Sequence, residues 1–169
     1  MDNITRIVSI IGFGGGCHWC TEAVFQNLHG VDVVVQGFIA SKAPHDQFSE
    51  AVRDTFNAAQ IDLMTLMDIH LRTHASGSNH SMRGKYRSAI YVHGSEQSAF
   101  AQKVLDELQK DFETLRVTQV LELTAFKPSE PRFQNYYETG PDRPFCRTYI
   151  DPKLAKIRQI YGTQVFSRK

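Results

Sequence analysis

The chain has 169 residues, a hydrophobic fraction of 41%, a charged fraction of 22% and a formal net charge of +1. These values are typical of a globular protein with its own core, and we predict a single domain over residues 1–169. The near-neutral charge and the lack of a basic run argue against a nucleic-acid or anionic-membrane partner.

The N-terminal segment MDNITRIVSIIGFGGG is not typical of a secretion signal, because Asp2 precedes a short apolar run. No stretch reaches the roughly 18 apolar residues that a membrane span needs. We therefore expect a cytoplasmic protein. In that compartment the 3 cysteines of the chain favour free thiols, metal ligands or reactive groups over a structural disulfide framework.

Hydrophobic periodicity predicts alternating strands and helices in chain order. Strands are expected at residues 6–13, 31–40, 49–56, 86–93 and 116–126. Helices are expected at residues 21–30, 63–74, 95–112 and 152–162. Asp62 and Ser95 are the predicted N-caps of the second and third helices, and Phe100 is placed on the buried face of the third. This order of elements is typical of an α+β or α/β protein.

The stretch GFGGGCHWCTEAVF, residues 12–25, leads four glycines into Cys17 and Cys20 at a predicted helix start. A dinucleotide fingerprint would need glycine at Cys17 and an acidic residue at the end of the next strand, and the chain has neither. A zinc site would need a second ligand pair. His70 and His74 could share a helix face, but they lack the glutamate of a zinc protease helix. We predict neither a metal nor a cofactor.

Thiol chemistry fits this stretch better than nucleotide or metal binding. The glycines leave no side chain over the sulfur of Cys17, and the positive end of a helix dipole favours its thiolate. A thiolate is the reactive form of cysteine. The spacing of Cys17 and Cys20 is also that of thiol–disulfide oxidoreductases, so this alternative stays open.

Four segments in the same order resemble the peptide methionine sulfoxide reductase A family. GGGCHWCTEAVF resembles its Gly-Cys-Phe-Trp motif, and SEAVR, residues 49–53, resembles its His-Ala-Glu-x-Val stretch. GKYRSAIY, residues 84–91, resembles its Gly-Thr-Gln-Tyr-Arg-Ser-Ala-Ile stretch. FKPSEPRFQNYY, residues 126–137, resembles its aromatic-Pro-Ala-Glu-x-x-His-Gln-x-Tyr stretch. The resemblance, which is to a divergent member, implies an α+β two-layer sandwich around a mixed sheet with a ferredoxin-like βαββαβ core.

The resemblance also implies the chemistry. It is that of a thiol-dependent reductase, active in oxidative-stress repair, that converts methionine S-sulfoxide, peptide-bound or free, to methionine through a cysteine sulfenic acid. Cys17 would be the nucleophile, Glu50 the proton donor and Tyr86 a hydrogen-bond donor to the sulfoxide oxygen. The substrate would be bound by His18, Trp19, Phe38 and His80.

The chain departs from the family at the expected substrate rim. His18 replaces a phenylalanine, and His80 lies near the place of a missing acidic residue. The loop after Phe38 is much shorter and lacks the second active-site tyrosine. These departures put the range of substrates in doubt more than the type of reaction.

Recycling of the sulfenic acid needs a second thiol and a reductant. We favour Cys146 as the resolving cysteine, with Cys20 as rival or relay, and thioredoxin or a similar dithiol as the partner. Two alternative functions remain. One is a thiol–disulfide oxidoreductase that uses Cys17 and Cys20, and the other is a non-catalytic module that binds oxidised methionine.

Overall fold

The structure is a computed structural model that describes residues 8–166. Residues 1–7, which hold the start of the predicted strand 6–13 and part of the segment judged not to be a secretion signal, lie outside the described residues, as do 167–169. The strands are β1 Val8–Gly14, β2 Val31–Ala40, β3 Ser49–Asn57, β4 Ala89–Val92, β5 Gln119–Glu122 and β6 Ala125–Pro128. The helices are α1 His18–Gln26, α2 Leu63–Thr73, α3 Gly94–Gln109, α4 Tyr136–Thr139 and α5 Asp151–Tyr161, with a π-helical turn at Cys146–Ile150.

The strands form one mixed sheet in the order β5-β4-β1-β3-β2-β6. Neighbouring strands are antiparallel except β4 and β5, which are parallel. The predicted α+β class and the mixed sheet are confirmed. The ferredoxin-like description of the core and the single domain over 1–169 stay predictions.

The predicted strand 116–126 is wrong, because this segment forms β5 and β6 at opposite edges of the sheet. Only Leu123 and Thr124 join the two strands. Six flat strands would place these edges about 24 Å apart, whereas a two-residue link spans at most about 11 Å. The sheet must therefore curl, and the link touches both sides: Leu123 N donates to Val92 O at 2.9 Å and Thr124 N to Ala40 O at 3.0 Å.

The helices bury their apolar faces against one side of the sheet. This core includes Phe13 and Phe25, whose rings stack with centroids 4.5 Å apart. A smaller cluster lies on the opposite, concave side and contains Ile39 and Tyr91. None of the helices in residues 8–166 is long and apolar enough to cross a membrane.

Two predicted N-caps have different outcomes. Asp62 is confirmed, since its Oδ1 accepts a hydrogen bond from Thr65 N at 2.7 Å. Ser95 is wrong, because α3 begins one residue earlier, at Gly94, whose φ of +81° turns the chain into the helix. Phe100 is also wrong as a core residue: it is 52% exposed. The buried stripe of α3 instead consists of Ala101, Val104, Leu105 and Leu108.

One acidic side chain lies in the main core. Asp54 of β3 is opposite Ile11 of β1 and Val34 of β2, and it is fully buried. Neither carboxyl oxygen has a hydrogen-bond partner among residues 8–166. Burial therefore raises the pKa of Asp54 well above its ordinary value.

This raised pKa makes the stability of the fold depend on pH. The folded state binds the Asp54 proton more tightly than the unfolded state, so the stabilisation is complete below the ordinary pKa of about 3.9. It is lost as the pH rises from there through the folded-state pKa. We expect Asp54→Asn to reduce this decline and to raise the free energy of unfolding at pH 7 by at least about 1 kcal/mol.

Urea unfolding at pH 5 and pH 8 measures the effect. Asp46→Asn, at an exposed loop position, is the matched control and should follow the wild type at both pH values. An Asp54→Asn protein that loses stability between pH 5 and pH 8 as steeply as the wild type would contradict the assignment.

Candidate active site

The turn between β1 and α1 presents Cys17 at the N-cap position of the helix. Gly15 has a φ of +154°, and a Cβ atom there would overlap the His74 ring, so glycine is required. Arg83 clamps the turn: its Nη1 donates to Gly15 O at 2.8 Å and to Tyr86 O at 2.9 Å. Cys17 O then accepts the first helical hydrogen bond, from Thr21 N at 3.2 Å. The predicted position of Cys17 at a helix start is confirmed.

Two histidines considered above as metal ligands support this turn from below. His70 Nε2 donates to Gly14 O at 2.7 Å, and His74 Nδ1 donates to His70 O at 2.5 Å. The other nitrogen of His74 is left to accept from Ser88 Oγ, 2.8 Å away. Burial lowers the pKa of His70 to about 4 and that of His74 well below its ordinary value. Both rings are therefore neutral at pH 7 and act as fixed hydrogen-bond supports.

The environment of Cys17 favours its thiolate. A hydrogen bond from the Cys20 thiol lowers the pKa of Cys17 to about 7, with a smaller contribution from the Trp19 backbone N–H. Burial and the charge of Glu50 act in the opposite direction. The N-terminus of α1 adds the favourable end of the helix dipole. Cys17 is therefore ionised more readily at neutral pH than a free cysteine.

Glu50 lies close to Cys17 because β3 pairs with β1. Gly14 is opposite Ala51, so the residue before Ala51 reaches the glycine turn. The Glu50 carboxyl is 7% exposed and lies between two basic groups. His18 Nε2 is 3.2 Å from its Oε1, and Lys85 Nζ is 3.7 Å from its Oε2.

Sequence reasoning missed Lys85. The residue precedes Tyr86 in GKYRSAIY, at the place where the resembling stretch has glutamine, so a change of charge was readable there. A hydrogen bond with Tyr86 and the nearby Glu50 charge raise the pKa of Lys85. Tyr86, which is half-buried, thus joins Glu50 through one ammonium group.

A cavity of about 350 Å³ brings together three of the predicted substrate-binding residues, of which His18 and Trp19 directly follow Cys17 in the chain. The His18 and Phe38 rings meet edge to face, with centroids 5.3 Å apart. Trp19 forms the neighbouring wall. The remaining lining residues are Lys127, Pro128, Ser129, Glu130 and Phe133.

Two further aromatic residues that the sequence did not single out hold Trp19 in place. Tyr136 stacks on its indole, with centroids 4.1 Å apart and planes within 4°, and Phe145 packs edge-on at 5.6 Å. Glu22, fully buried in α1, positions Tyr136 by accepting hydrogen bonds from Asn135 N at 2.9 Å and Tyr136 N at 3.0 Å. Glu22 therefore supports the wall of the cavity.

The fourth predicted substrate-binding residue has a different environment. His80 is exposed, and its Nδ1 accepts a hydrogen bond from Met82 N at 3.2 Å. Its imidazole thus caps the short 3₁₀ turn Ser81–Gly84. A role of His80 in binding substrate stays a prediction.

The three cysteines lie in one neighbourhood, and all are thiols. Cys20 and Cys146 belong to the same buried apolar cluster, and Cys17 packs against its edge. Cys146 begins the π-helical turn, is fully buried and donates to Gly140 O at 3.5 Å. The proline- and glycine-containing segment around Cys146 is thus part of the packed structure.

Comparison with known proteins connects this geometry to a family. The family model for peptide methionine sulfoxide reductase matches residues 9–165. A relative described as peptide methionine sulfoxide reductase MsrA, from Deinococcus radiodurans, is 34% identical over 169 residues, which cover 90% of this chain and 82% of the relative. One with the same description, from Acinetobacter baumannii strain AYE, is 33% identical over 163 residues, covering 88% of this chain and 94% of the relative.

Solved structures share the fold. Mxr1 from Saccharomyces cerevisiae in its reduced form superposes with a TM-score of 0.73 at 20% identity, covering 88% of this chain and 94% of that chain. Mxr1 in complex with Trx2 superposes with a TM-score of 0.61 at 19% identity, covering 80% of this chain and 88% of that chain.

The ionisation of Cys17 can be tested without substrate. We expect the rate of Cys17 alkylation by iodoacetamide to rise with pH to a midpoint near 7, the pKa that the Cys20 hydrogen bond sets. Cys20→Ala removes the donor and should move the midpoint towards the free-thiol value of about 8.5. Peptide mass spectrometry follows the reaction at Cys17 alone.

Cys20→Ser is the matched variant, because its hydroxyl can still donate to the Cys17 sulfur. Its midpoint should lie closer to the wild-type value than that of Cys20→Ala. Equal midpoints for the wild type and Cys20→Ala would show that the helix N-terminus, and not Cys20, controls the thiolate.

Proposed function

The chain belongs to the peptide methionine sulfoxide reductase family, and we propose that Cys17 carries its reaction, the reduction of methionine S-sulfoxide to methionine, by attacking the sulfoxide sulfur. The observation that carries this assignment is the lowered pKa of Cys17 beside the buried Glu50 carboxyl. A thiol that ionises readily thus lies within electrostatic range of a carboxyl group. The aromatic cavity lined by His18 and Trp19, the two residues after Cys17, supports the same assignment.

The proposed step transfers one oxygen atom from the substrate to Cys17. The Cys17 thiolate forms a bond to the sulfoxide sulfur, and Glu50 protonates the sulfoxide oxygen. The oxygen then passes to the Cys17 sulfur as the substrate sulfur breaks its bonds to that oxygen and to Cys17, which leaves methionine and a Cys17 sulfenic acid. The substrate sulfur gains two electrons and the Cys17 sulfur loses two.

Tyr86 and Trp19 would orient the substrate. The phenol of Tyr86, linked to Glu50 through Lys85, is suited to donate a hydrogen bond to the sulfoxide oxygen. Trp19, fixed between Tyr136 and Phe145, offers a flat apolar wall for the methyl group. These contacts leave the sulfur as the exposed electrophile.

The cavity is suited to both peptide-bound and free methionine sulfoxide. Its walls are apolar and aromatic, whereas its rim carries the exposed Lys127 and Glu130. Charges of both signs can meet the main chain of a peptide or the carboxylate and ammonium groups of the free amino acid. The rim of this cavity, which differs from that of the resembling family, therefore does not restrict the substrate to peptide-bound or to free methionine sulfoxide.

Recycling would pass through Cys20 before Cys146. A hydrogen bond from the Cys20 thiol lowers the pKa of Cys17, so Cys20 is placed to attack the sulfenic sulfur. Its attack forms a disulfide and releases water. Cys146 shares the apolar cluster with Cys20 and can then attack the Cys20 sulfur, which frees the Cys17 thiolate.

A dithiol protein such as thioredoxin would return both electrons to the final disulfide. The fold neighbour Mxr1 has been solved in complex with Trx2, which supports a reductant of this kind. The Cys20–Cys146 disulfide would have to become accessible for that exchange, because Cys146 is buried in the π-helical turn and Phe145 packs around it.

A single-turnover assay without reductant tests the catalytic residues. Wild-type protein mixed with excess methionine S-sulfoxide should release methionine in a burst, and Cys17→Ser should release none. Glu50→Gln should slow the burst on the order of a hundredfold or more, because the amide keeps the shape but not the acid. Chromatography of the quenched mixture quantifies methionine.

Glu113→Gln is the matched control, since it neutralises an exposed carboxylate that does not line the cavity. Its burst rate should stay within about twofold of the wild-type rate. A Glu50→Gln burst within that range would remove Glu50 as the acid, and a burst from folded Cys17→Ser would remove Cys17 as the nucleophile.

The order of the thiols can be read from trapped disulfides. In Cys146→Ser, one equivalent of methionine sulfoxide should give a Cys17–Cys20 disulfide, whereas wild type should accumulate Cys20–Cys146. Cys20→Ser should keep the first turnover and accumulate the Cys17 sulfenic acid. Mass spectrometry of alkylated peptides distinguishes these species.

A direct Cys17–Cys146 disulfide in Cys20→Ser, formed as fast as the wild-type disulfide, would show that Cys20 is dispensable. A persistent Cys17–Cys20 disulfide in wild type, with Cys146 still alkylatable after unfolding, would instead show that the cycle ends at Cys20.

A further inference from the structure

Both ring nitrogens of His18 have partners, and the two partners differ in kind. Nδ1 lies 3.0 Å from Gly37 O, and Nε2 lies 3.2 Å from Glu50 Oε1. His18 is 8% exposed, so little water competes for these contacts. The acidic group of the site therefore has a titratable partner on the nucleophile's own helix.

The carbonyl of Gly37 fixes which nitrogen carries a proton. A carbonyl oxygen only accepts, so Nδ1 must hold its hydrogen and donate it. Gly37 cannot move away easily, because the backbone of Lys127 and Pro128 packs against its Cα. His18 is therefore held in the tautomer whose Nε2 faces Glu50.

With Nδ1 fixed, the contact between Nε2 and Oε1 needs one more proton. Either His18 is an imidazolium that donates to a carboxylate, or the Glu50 carboxyl is protonated and donates to a neutral imidazole. Both states hold a single proton between the same two atoms.

We propose that His18 and Glu50 hold the catalytic proton in common, with His18 as the positioning residue that keeps it available to Glu50. The inference rests on the proposed function, and it concerns the acid of that reaction. During turnover the shared proton goes from Glu50 Oε1 to the sulfoxide oxygen. The Nδ1–H group of His18 stays hydrogen-bonded to Gly37 O throughout. The pair is then one proton short and regains it from solvent.

The charges around His18 and Glu50 explain why a second group that holds the proton is useful. The Lys85 ammonium faces Oε2, and the thiolate of Cys17 faces the carboxyl from the glycine turn. A carboxyl that pairs with this ammonium in its ionised form cannot act as an acid. A second basic site at His18 keeps one proton beside the carboxyl in spite of Lys85. Lys127 and Glu130 complete the charged groups along the His18 side of the cavity.

Three substitutions separate the two contacts of His18. His18→Gln keeps a donor near Glu50 but cannot exchange a proton. His18→Asn has a shorter side chain and keeps only a donor towards Gly37 O, and His18→Phe, which restores the residue of the resembling motif, keeps neither contact. All three retain a side chain in the cavity wall, and His93→Gln, at an exposed position near the opposite end of β4, is the matched control.

Single-turnover rates at two pH values test the proposal. We expect His18→Gln to lose at least tenfold at pH 8 and less than threefold at pH 5.5, where solvent protons reach Glu50 directly. KM for the sulfoxide should change less than twofold, and the double variant with Glu50→Gln should be no slower than Glu50→Gln alone. Equal losses at both pH values, or multiplied losses in the double variant, would overturn the proposal and leave His18 as a wall residue.

A second measurement does not need turnover. In ¹⁵N-histidine-labelled Cys17→Ser protein, the His18 signals should report a protonated Nδ1 from pH 5.5 to pH 8, and the Nε2 signal should move when Glu50 is replaced by Gln. Absence of both effects would reject the shared proton even in an active enzyme. A wild-type protein that forms no methionine but shows both effects would reject the proposed function and keep the pair.

Discussion

The pairing of β1 with β3 is the constraint on which the rest of the site depends. It brings the end of β1, which turns through glycines into Cys17, against the first residues of β3, which carry Glu50. The pairing of β3 with β2 then sets Phe38 opposite Glu50 and brings Gly37 alongside His18. A shift of one residue in the β1–β3 ladder would turn Glu50 to the other face of the sheet, away from Cys17, and the same shift between β2 and β3 would turn Phe38 away from Glu50.

This geometry creates an electrostatic conflict that the neighbouring groups relieve. Reduction needs a charged thiol and a protonated acid at the same pH, yet a carboxylate beside Cys17 raises the pKa of the thiol. The Cys20 thiol lowers the pKa of Cys17 by hydrogen-bonding to its sulfur. Lys85 places a positive charge beside the Glu50 carboxyl. Each group therefore acts on the protonation of the others, so their effects in variants should not simply add.

The sequence was informative where the signal is local. The N-cap at Asp62 and the helix start at Cys17 follow from a few adjacent residues, and both are found. The N-cap at Ser95 failed because the left-handed φ of Gly94 starts the helix earlier. The strand 116–126 failed because nothing local indicates that Leu123 and Thr124 cross between sheet edges, since only the curl of the whole sheet brings those edges together.

The same distinction holds within the candidate site. Motif residues such as Glu50 could be named from their resemblance, but their partners depend on tertiary structure. Glu22 reaches over 100 residues along the chain to position Tyr136 against Trp19. The contact of His18 with Gly37 O involves a backbone atom, which leaves no trace in side-chain identity. The sequence shows that a histidine stands at position 18 where the resembling motif has phenylalanine. The tautomer of this histidine could be assigned only from the structure.

One aromatic cluster links the two halves of the cycle. Phe145 packs edge-on against Trp19, and the next residue is Cys146, buried beneath it in the π-helical turn. Any movement that exposes a disulfide at Cys146 to a reductant must displace Phe145 and loosen the wall behind Trp19. The packed arrangement therefore suits substrate binding and a buried thiol together. An opened arrangement would suit exchange with a partner, so the two steps of the proposed cycle would use different conformations of the same few residues.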